Sequence, residues 1–421
     1  MKIAVFSSKP YDEEYLSQCT DNDLELRFYE HKLDHKTAVI SKGFEVVCCF
    51  VNDDLSERTI NELADNGVKL IAMRCAGYNN VDLETAEKRG IKVCRVPEYS
   101  PHAIAEHALA LLLTLNRNIH RAYNRVREND YSLNGLLGFD LYQKKVGVIG
   151  TGKIGATFCK IMQGLGCEVI AYDPHPNNDV KDLGIQYVSL EKIWAESDII
   201  SLHCPLLPAT RHIINSNSIY QMKQGVALIN TSRGALIDTR EIIGALKTGR
   251  IGYFGLDVYE EEANLFFEDK SNLLLQDDIF ARLQTFPNVL ITGHQGFFTK
   301  EALSAISAVT LGNIRNFADD NLVLLVEESI KKVKRLNILS INVNTNEINS
   351  TLIDDFEKPD LIFRLKSKTL ILVKDDDNLK IKSVINSNSI KNQSIFINSD
   401  NSSDLDDIFE STPDLINTNE Y

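Results

Sequence analysis

The chain contains no run of about 20 consecutive apolar residues, the length a helix needs to cross a bilayer, so nothing in it reads as a membrane span. It also lacks a recognisable leader: the apolar run Ile3-Ala4-Val5-Phe6 is too short for a signal peptide and is soon followed by Asp12, Glu13 and Glu14. Basic charge is in deficit, with 45 Lys and Arg against 59 Asp and Glu and a formal net charge of −14. A general affinity for nucleic acid or an anionic membrane needs a basic surface, so neither is expected as a partner. An anionic substrate is still allowed, because one buried arginine outweighs distant surface charge. The 8 cysteines include no Cys-x-x-Cys pair and mostly fall in apolar runs such as Cys48-Cys49, which points to buried reduced thiols with neither disulfides nor a metal site. These absences leave a soluble, cytoplasmic protein, and its 421 residues suggest two or three domains.

The strongest feature present is the stretch from Lys145 to Asp173. Val146, Val148 and Ile149 form a short apolar run suited to a buried parallel strand, and Gly150, Gly152 and Gly155 follow at G-x-G-x-x-G spacing. Gly150 permits a tight turn, Gly152 leaves room for a pyrophosphate against bare backbone, and Gly155 lets the next helix, about Ile154 to Leu165, lie close to the strand. That helix presents free N–H groups to phosphates. The following run, Val169 to Tyr172, ends in Asp173, placed to accept hydrogen bonds from a ribose 2′-OH and to repel a 2′-phosphate. The cofactor expected is NAD in preference to NADP.

Around this stretch, short apolar runs alternate with helical patterns. Ile3–Phe6, Leu24–Phe28, Val46–Val51, Val68–Met73 and Lys92–Val96 read as strands of a first α/β domain, with helical crossovers such as Leu55 to Ala64. Ser100, a plausible N-cap, and Pro101 start the longest helical pattern, with Arg117, Arg121, Arg125 and Arg127 gathering toward its end as a solvated face. After Asp173 come Gln186–Val188, Ile199–His203, Val226–Asn230, Tyr253–Asp257 and Val289–Thr292, which with the two runs of the glycine stretch make seven, in the alternation of a doubly wound dinucleotide domain, whose usual complement is six parallel strands. A helix from Thr299 to Phe317 is expected to return to the first domain. Beyond about Leu325 the chain is rich in Asn, Ser, Asp, Lys and Ile, a composition that usually stays disordered. Leu361–Leu365 and Thr369–Val373 have strand-like hydrophobicity and are candidates for a small β element.

Three loops follow strands on one carboxyl edge. Thr231-Ser232-Arg233-Gly234 offers a guanidinium whose planar fork can grip a carboxylate. Val258-Tyr259-Glu260-Glu261-Glu262 offers acids, and Gly293-His294-Gln295 an imidazole. Taken singly, each has an ordinary structural explanation. On a shared edge beside a dinucleotide fingerprint, they can converge on a polarised carbonyl. Arg74-Cys75-Ala76-Gly77-Tyr78 follows a strand of the first domain, where Gly77 is either a turn glycine or part of a cleft wall.

The motifs Val148-Ile149-Gly150-Thr151-Gly152-Lys153-Ile154-Gly155, Asn230-Thr231-Ser232-Arg233-Gly234, Leu256-Asp257-Val258-Tyr259-Glu260 with Glu262, and Thr292-Gly293-His294-Gln295 resemble those of the D-isomer-specific 2-hydroxyacid dehydrogenase family. Arg74 to Asn79 and Val96-Pro97-Glu98-Tyr99-Ser100-Pro101 extend the resemblance, and Phe266-Phe267-Glu268-Asp269 places it nearest the fermentative D-lactate branch. Together these motifs span about three quarters of the chain. The resemblance implies reversible hydride transfer between NADH and pyruvate giving D-lactate, or a larger D-2-hydroxy acid of the hydroxyisocaproate kind, in a homodimer formed through the dinucleotide domains. A rival from another class is a corepressor-like NAD-binding protein, since such proteins share the fold, retain the Arg, Glu and His set and carry polar tails.

By the same resemblance, Arg233 would bind the 2-oxo acid carboxylate, His294 would exchange the proton, and Glu262, five beyond Asp257, would hold the imidazole and favour its protonated form. Gly150, Gly152, Lys153, Ile154 and Gly155 would meet the pyrophosphate and Asp173 the ribose. Cys204 and Pro205 would lie beside the adenine cleft, with Thr231, Ser232 and Asp257 at the nicotinamide end. Ala76, Gly77, Tyr99 and Phe297 would face the substrate. Gly296 stands where relatives often carry alanine, which suggests a slightly roomier pocket beside His294. The fold class expected is α/β, two doubly wound parallel-sheet domains (flavodoxin-like substrate domain plus Rossmann NAD-binding domain) with a polar C-terminal extension. The boundaries are 1–100 for the N-terminal part of the substrate domain, 101–298 for the NAD-binding domain, 299–325 for the return segment and 326–421 for the extension.

Overall fold

The computed structural model describes residues 1–20, 23–262, 265–318 and the strand residues 361–365, 368–375, 378–386, 389–391 and 395–396. Two compact units are present, Met1–Glu327 and Glu328–Tyr421.

The first unit holds two parallel sheets. Strands β1 (Lys2–Val5), β2 (Glu25–Phe28), β3 (Val46–Cys49), β4 (Leu70–Met73) and β5 (Lys92–Arg95) lie in the order β2-β1-β3-β4-β5. Every neighbour pair is parallel, which is the flavodoxin-like order, with its switch point between β1 and β3. The second sheet comprises β6 (Lys145–Ile149), β7 (Glu168–Tyr172), β8 (Gln186–Tyr187), β9 (Ile199–Leu202), β10 (Val226–Asn230), β11 (Ile251–Leu256) and β12 (Val289–Ile291). Its order, β12-β11-β10-β9-β6-β7-β8, is the six-stranded doubly wound arrangement extended by a seventh strand at one edge, and its strands are the seven apolar runs of the sequence. The central strands are buried on both faces: β3, β4, β9 and β10 expose no residue, as their unbroken apolar runs require. Each fully buried Val, Leu or Ile contributes about 1.5–3 kcal/mol.

Ser100 caps the helix Pro101–Asn116 through its hydroxyl oxygen, which accepts from the Ala103 amide, and Pro101 takes the first position. The pattern that was expected to run on through Arg127 is instead two helices. Asn118 adopts a left-handed φ of +50°, which asparagine tolerates better than most residues, and a separate helix, Ile119–Arg127, follows. Leu55, expected on a helix, forms an isolated bridge to Val81, and the helix itself runs Glu57–Asp65. The helix after the glycine turn is Lys153–Gly164. The longest helix is Lys300–Ala318; it packs on Pro10–Gln18, β4 and β5 and places Leu311 and Ile314 in the core of the first sheet. All eight cysteines are free, seven of them buried and Cys19 partly so. Among the described residues no helix is long and apolar enough to cross a membrane, and no cluster of metal-ligating side chains occurs.

In the second unit, β13 (Leu361–Leu365), β14 (Lys368–Asp375), β15 (Asn378–Asn386) and β16 (Ser389–Lys391) form an antiparallel meander, with β17 (Ile395–Phe396) also paired to β15. For these residues the expectation of a largely disordered extension is replaced by a sheet. Strands cover both hydrophobic stretches picked out in the sequence, because antiparallel neighbours joined by short links pair at small loop-closure cost. The rest of 326–421, including the basic run at 331–335 and the acidic stretch from 398 onward, lies outside the described residues.

Candidate active site

The carboxyl end of β6 opens into the glycine turn. Gly150 has φ +90°, and a Cβ there would press on the His203–Cys204 peptide, so this turn and the loop after β9 pack backbone to backbone at the switch point of the sheet. A Cβ on Gly155 would overlap the Gly150 carbonyl, whereas one on Gly152 would meet nothing within 4 Å. Gly155 therefore serves helix packing, and Gly152 leaves a bare, open cradle at the helix N-terminus. The Asp173 Oδ2 accepts from the Thr151 amide at 2.6 Å and its hydroxyl at 3.1 Å, and Oδ1 accepts from His175 N at 2.8 Å. Each oxygen keeps a second lone pair for a ribose hydroxyl. Lys153 pairs with Glu98 of the segment joining the two sheets, and Ile154 packs on the core beneath. Thr231, at the end of β10, is buried with its hydroxyl unpartnered, a polar atom waiting for a ligand group. The open cradle, the ribose carboxylate and this hydroxyl fit a dinucleotide.

Beside Thr231 the chain turns through Arg233. Asn230 braces this loop, its Nδ2 donating to the Arg233 carbonyl at 2.9 Å and its Oδ1 accepting from Ser232 N at 3.0 Å, while the Ser232 hydroxyl donates to Cys204 O at 2.7 Å. Pro205 follows, exposed. The Arg233 guanidinium folds back so that Nη1 donates to Ser232 O at 2.7 Å. Its Nη2 would stand 3.0 Å from a Cβ on Gly77, so the guanidinium of one lobe abuts bare backbone of the other. Gly77 thus belongs to the cleft wall. Gly234 is equally constrained, since a Cβ there would overlap the Tyr259–Glu260 peptide. That close approach joins the arginine loop to the acidic loop.

In the acidic loop the two outer glutamates have separate partners. Glu260 accepts from His212 Nε2 at 2.7 Å, with Arg211 at 3.4 Å. Glu262 accepts from the Tyr259 amide through Oε2 at 2.9 Å, and its Oε1 lies 2.9 Å from His294 Nδ1. A carboxylate only accepts, so Nδ1 carries the proton and Nε2 is left for a substrate. His294 sits at φ +54°, and its loop is held by Asp257: the Asp257 carbonyl accepts from His294 N at 2.7 Å, Oδ1 from Gln295 N at 2.8 Å and from the Thr292 hydroxyl at 2.6 Å, and Oδ2 from Gly296 N at 2.7 Å. Burial pushes the Asp257 carboxyl up, but hydrogen bonds from His107, Thr292 and Gln295 and the charge of His107 outweigh it and hold the group below its ordinary value.

A guanidinium, an imidazole–carboxylate pair and a dinucleotide cradle thus share one edge. The family model for the NAD-binding domain of D-isomer-specific 2-hydroxyacid dehydrogenases matches residues 109–296. The D-lactate dehydrogenase of Escherichia coli K12 is 53% identical over 317 residues, 75% of this chain and 96% of that one. The chain belongs to the D-isomer-specific 2-hydroxyacid dehydrogenase family. Among solved structures, the apo D-lactate dehydrogenase of Escherichia coli matches with a TM-score of 0.71 at 50% identity, covering 76% of this chain and 98% of that one. The pyruvate reductase of Chlamydomonas reinhardtii matches with a TM-score of 0.74 at 45% identity, covering 77% and 98%. The protein is an oxidoreductase and its cofactor is NAD.

The dehydrogenase lines its cleft with aromatic rings, of which the sequence reading placed Tyr99 and Phe297 at the substrate but not Phe50 or Phe267. Phe50, at the end of β3, packs edge-on against Phe267 at 5.0 Å and tilted on Phe297 at 6.1 Å; Phe297 meets Tyr99 at 6.5 Å, and Phe267 lies 5.6 Å from the His294 ring. Burial pushes the Tyr99 phenol up to about 12, with the Arg233 charge opposing, so it stays a neutral donor. Ala76 lies beside Gly77, and its carbonyl accepts from Arg95 at 2.8 Å. Beneath Phe50 the buried Arg74 stacks at 4.9 Å and pairs with Asp12 at 3.0 Å. An aromatic residue at the carboxyl end of a strand beside the switch point was the available signal for Phe50. The Gly296 expectation needs correcting: a Cβ there would stand 3.0 Å from Asp257 Oδ2 and 3.4 Å from His107 Cδ2, so the vacancy faces the Asp257 clamp and gives the substrate no extra room.

Proposed function

We propose that this dehydrogenase interconverts pyruvate and D-lactate, NADH supplying the hydride when bound at the glycine cradle. The observation that carries the reading is Arg233 against Gly77, with the His294–Glu262 pair anchored to the same loop system through Gly234. Arg233 grips the substrate carboxylate and orients the carbonyl, as a planar fork does better than an ammonium. His294 Nε2 gives a proton to the carbonyl oxygen in reduction and takes it back in oxidation, and Glu262 fixes the ring for both directions. Gly150, Gly152, Lys153 and Gly155 hold the pyrophosphate, Asp173 the ribose, and Thr231 the nicotinamide end. The wall of Phe50, Phe267, Phe297 and Tyr99 offers a short apolar side chain a dry surface and keeps water from the reacting carbon.

The working form we infer is a cytoplasmic homodimer. Ile119, Tyr123 and Val126 recur on one face of the helix Ile119–Arg127 at 52–60% exposure, and Leu133 and Leu137 in the following arm are 83% and 90% exposed. An apolar patch of this kind marks a protein interface.

The test is NADH oxidation by the purified protein with pyruvate, 2-oxobutyrate, 4-methyl-2-oxopentanoate and phosphohydroxypyruvate side by side, with product chirality determined and His294→Ala as control. Preference for pyruvate, a D product and loss of turnover in the variant are expected. Preference for 4-methyl-2-oxopentanoate would move the reading to a hydroxyisocaproate-type enzyme, and no turnover with any acid while NADH binds would overturn it.

A further inference from the structure

The chain passes between the two sheets twice. It leaves β5 through residues 96–100 into the helix Pro101–Asn116, and it leaves β12 through residues 292–299 into the helix Lys300–Ala318, which packs on the first sheet. The second passage carries His294. The passages touch where Tyr99 meets Phe297, and the second is also met by a side chain almost two turns into the helix that follows the first, His107. Its Nε2 lies 3.0 Å from Thr292 Oγ1 and 3.3 Å from Asp257 Oδ1. The Thr292 hydroxyl donates its proton to Asp257 Oδ1 at 2.6 Å, so its oxygen is free to accept from His107.

We propose that His107 is a positioning residue: it ties the second interlobe passage to the helix Pro101–Asn116 and, through Asp257 and Thr292, holds the His294 loop in the conformation that presents the imidazole. The inference rests on the reading of His294 as the proton-exchanging group.

His294 is held at φ +54°, a left-handed backbone that a non-glycine residue keeps only when its surroundings enforce it. The loop backbone is held mainly by Asp257, whose carbonyl takes the amide of residue 294 and whose carboxylate takes the amides of residues 295 and 296 and the Thr292 hydroxyl. A buried carboxylate with this many donors is itself placed by its remaining neighbour, and that neighbour is the His107 imidazole. Gly296 lets the ring and the carboxylate close over the loop, since a Cβ there would crowd both. His107 belongs to the helix Pro101–Asn116, which packs on β10, β11 and β12, so the contact ties the His294 loop to the body of the second lobe.

The test is a steady-state comparison of His107→Gln, His107→Asn and His107→Ala with the parent, using the best 2-oxo acid and NADH, together with NADH binding by fluorescence titration. Glutamine carries an N–H at about the reach of Nε2, and asparagine stops short of it. His107→Ala and His107→Asn are expected to lose about tenfold in kcat, with NADH affinity and substrate KM within about twofold, while His107→Gln keeps most of the parental kcat. An unchanged kcat in His107→Ala, or an equal loss in all three, would overturn the proposal and leave His107 a packing residue. If His107→Ala does not fold, Thr292→Val removes the shared hydroxyl, and a kcat equal to the parent's in that variant is equally fatal. Turnover of a different 2-oxo acid by the parent would correct the substrate reading while leaving this comparison intact, and an active His294→Ala would remove its basis.

Discussion

His294 Nδ1 and Glu262 Oε1 stand 2.9 Å apart, and the other oxygen of the same carboxylate accepts the Tyr259 amide. The carboxylate is thereby fixed at both ends, so the ring it holds has one tautomer and one orientation. Glu262→Gln keeps an acceptor for Nδ1–H but removes the charge. We expect kcat to drop by about 10²-fold with NADH affinity unchanged, measured by stopped-flow and titration. A kcat within threefold of the parent would reduce Glu262 to a spacer.

A methyl group at position 77 reaches the flexible end of Arg233, not backbone. Gly77→Ala should therefore fold with an unaltered melting temperature and NADH affinity, while its pyruvate KM rises by about tenfold as the guanidinium is pushed aside. Gly234→Ala, whose methyl would overlap a peptide, should instead fail to accumulate as folded protein. Finding the two variants equally stable would contradict the geometry of both loops.

Phe267 takes a left-handed φ of +67° and lies between Phe50 and the catalytic imidazole. Replacing it by alanine opens the wall at the side-chain end of the cleft. The ratio of kcat/KM for 4-methyl-2-oxopentanoate to that for pyruvate should rise by about tenfold, the scale a hydrophobic pocket offers per one or two methylenes. An unchanged ratio would show that another surface sets substrate length.

His203 packs between Phe158 and the glycine turn, with Nε2 2.8 Å from Ser201 Oγ, and the loss of solvent around its ring lowers its pKa from 6.5 to about 3. The unfolded chain therefore binds a proton that the folded chain refuses throughout that interval. Stability from this group is complete above pH 6.5 and is lost progressively as pH falls toward 3. Thermal melts of His203→Gln should show a shallower decline from pH 6.5 to 4.5 than the parent, whatever their absolute midpoint. Parallel declines would assign the acid sensitivity elsewhere.

The strands were legible because buried parallel strands are continuous apolar runs, and the glycine turn because its spacing is a backbone requirement. Arg233, an acid among Glu260 to Glu262 and His294 could be proposed as a set because each follows a strand on one edge, and the family resemblance singled out Glu262. What the sequence concealed is contact between distant residues: Phe50 with Phe267, Gly77 with Arg233, and His107 with Thr292. Asn118 ends a helix whose apolar pattern continues past it, since one left-handed residue leaves periodicity untouched. Gly296 looked like pocket space because it stands near His294 where relatives often carry alanine, whereas its neighbours in space are Asp257 and His107.

Gly234 has one more implication. Because its missing side chain is what lets the arginine loop rest on the Tyr259–Glu260 peptide, neither loop can lengthen, shift or gain bulk without displacing the other. The Arg233 guanidinium and the Glu262 carboxylate are therefore positioned as one block. Divergence toward new acids is left to the aromatic wall, where a ring can be trimmed one at a time and the chemistry beneath is undisturbed.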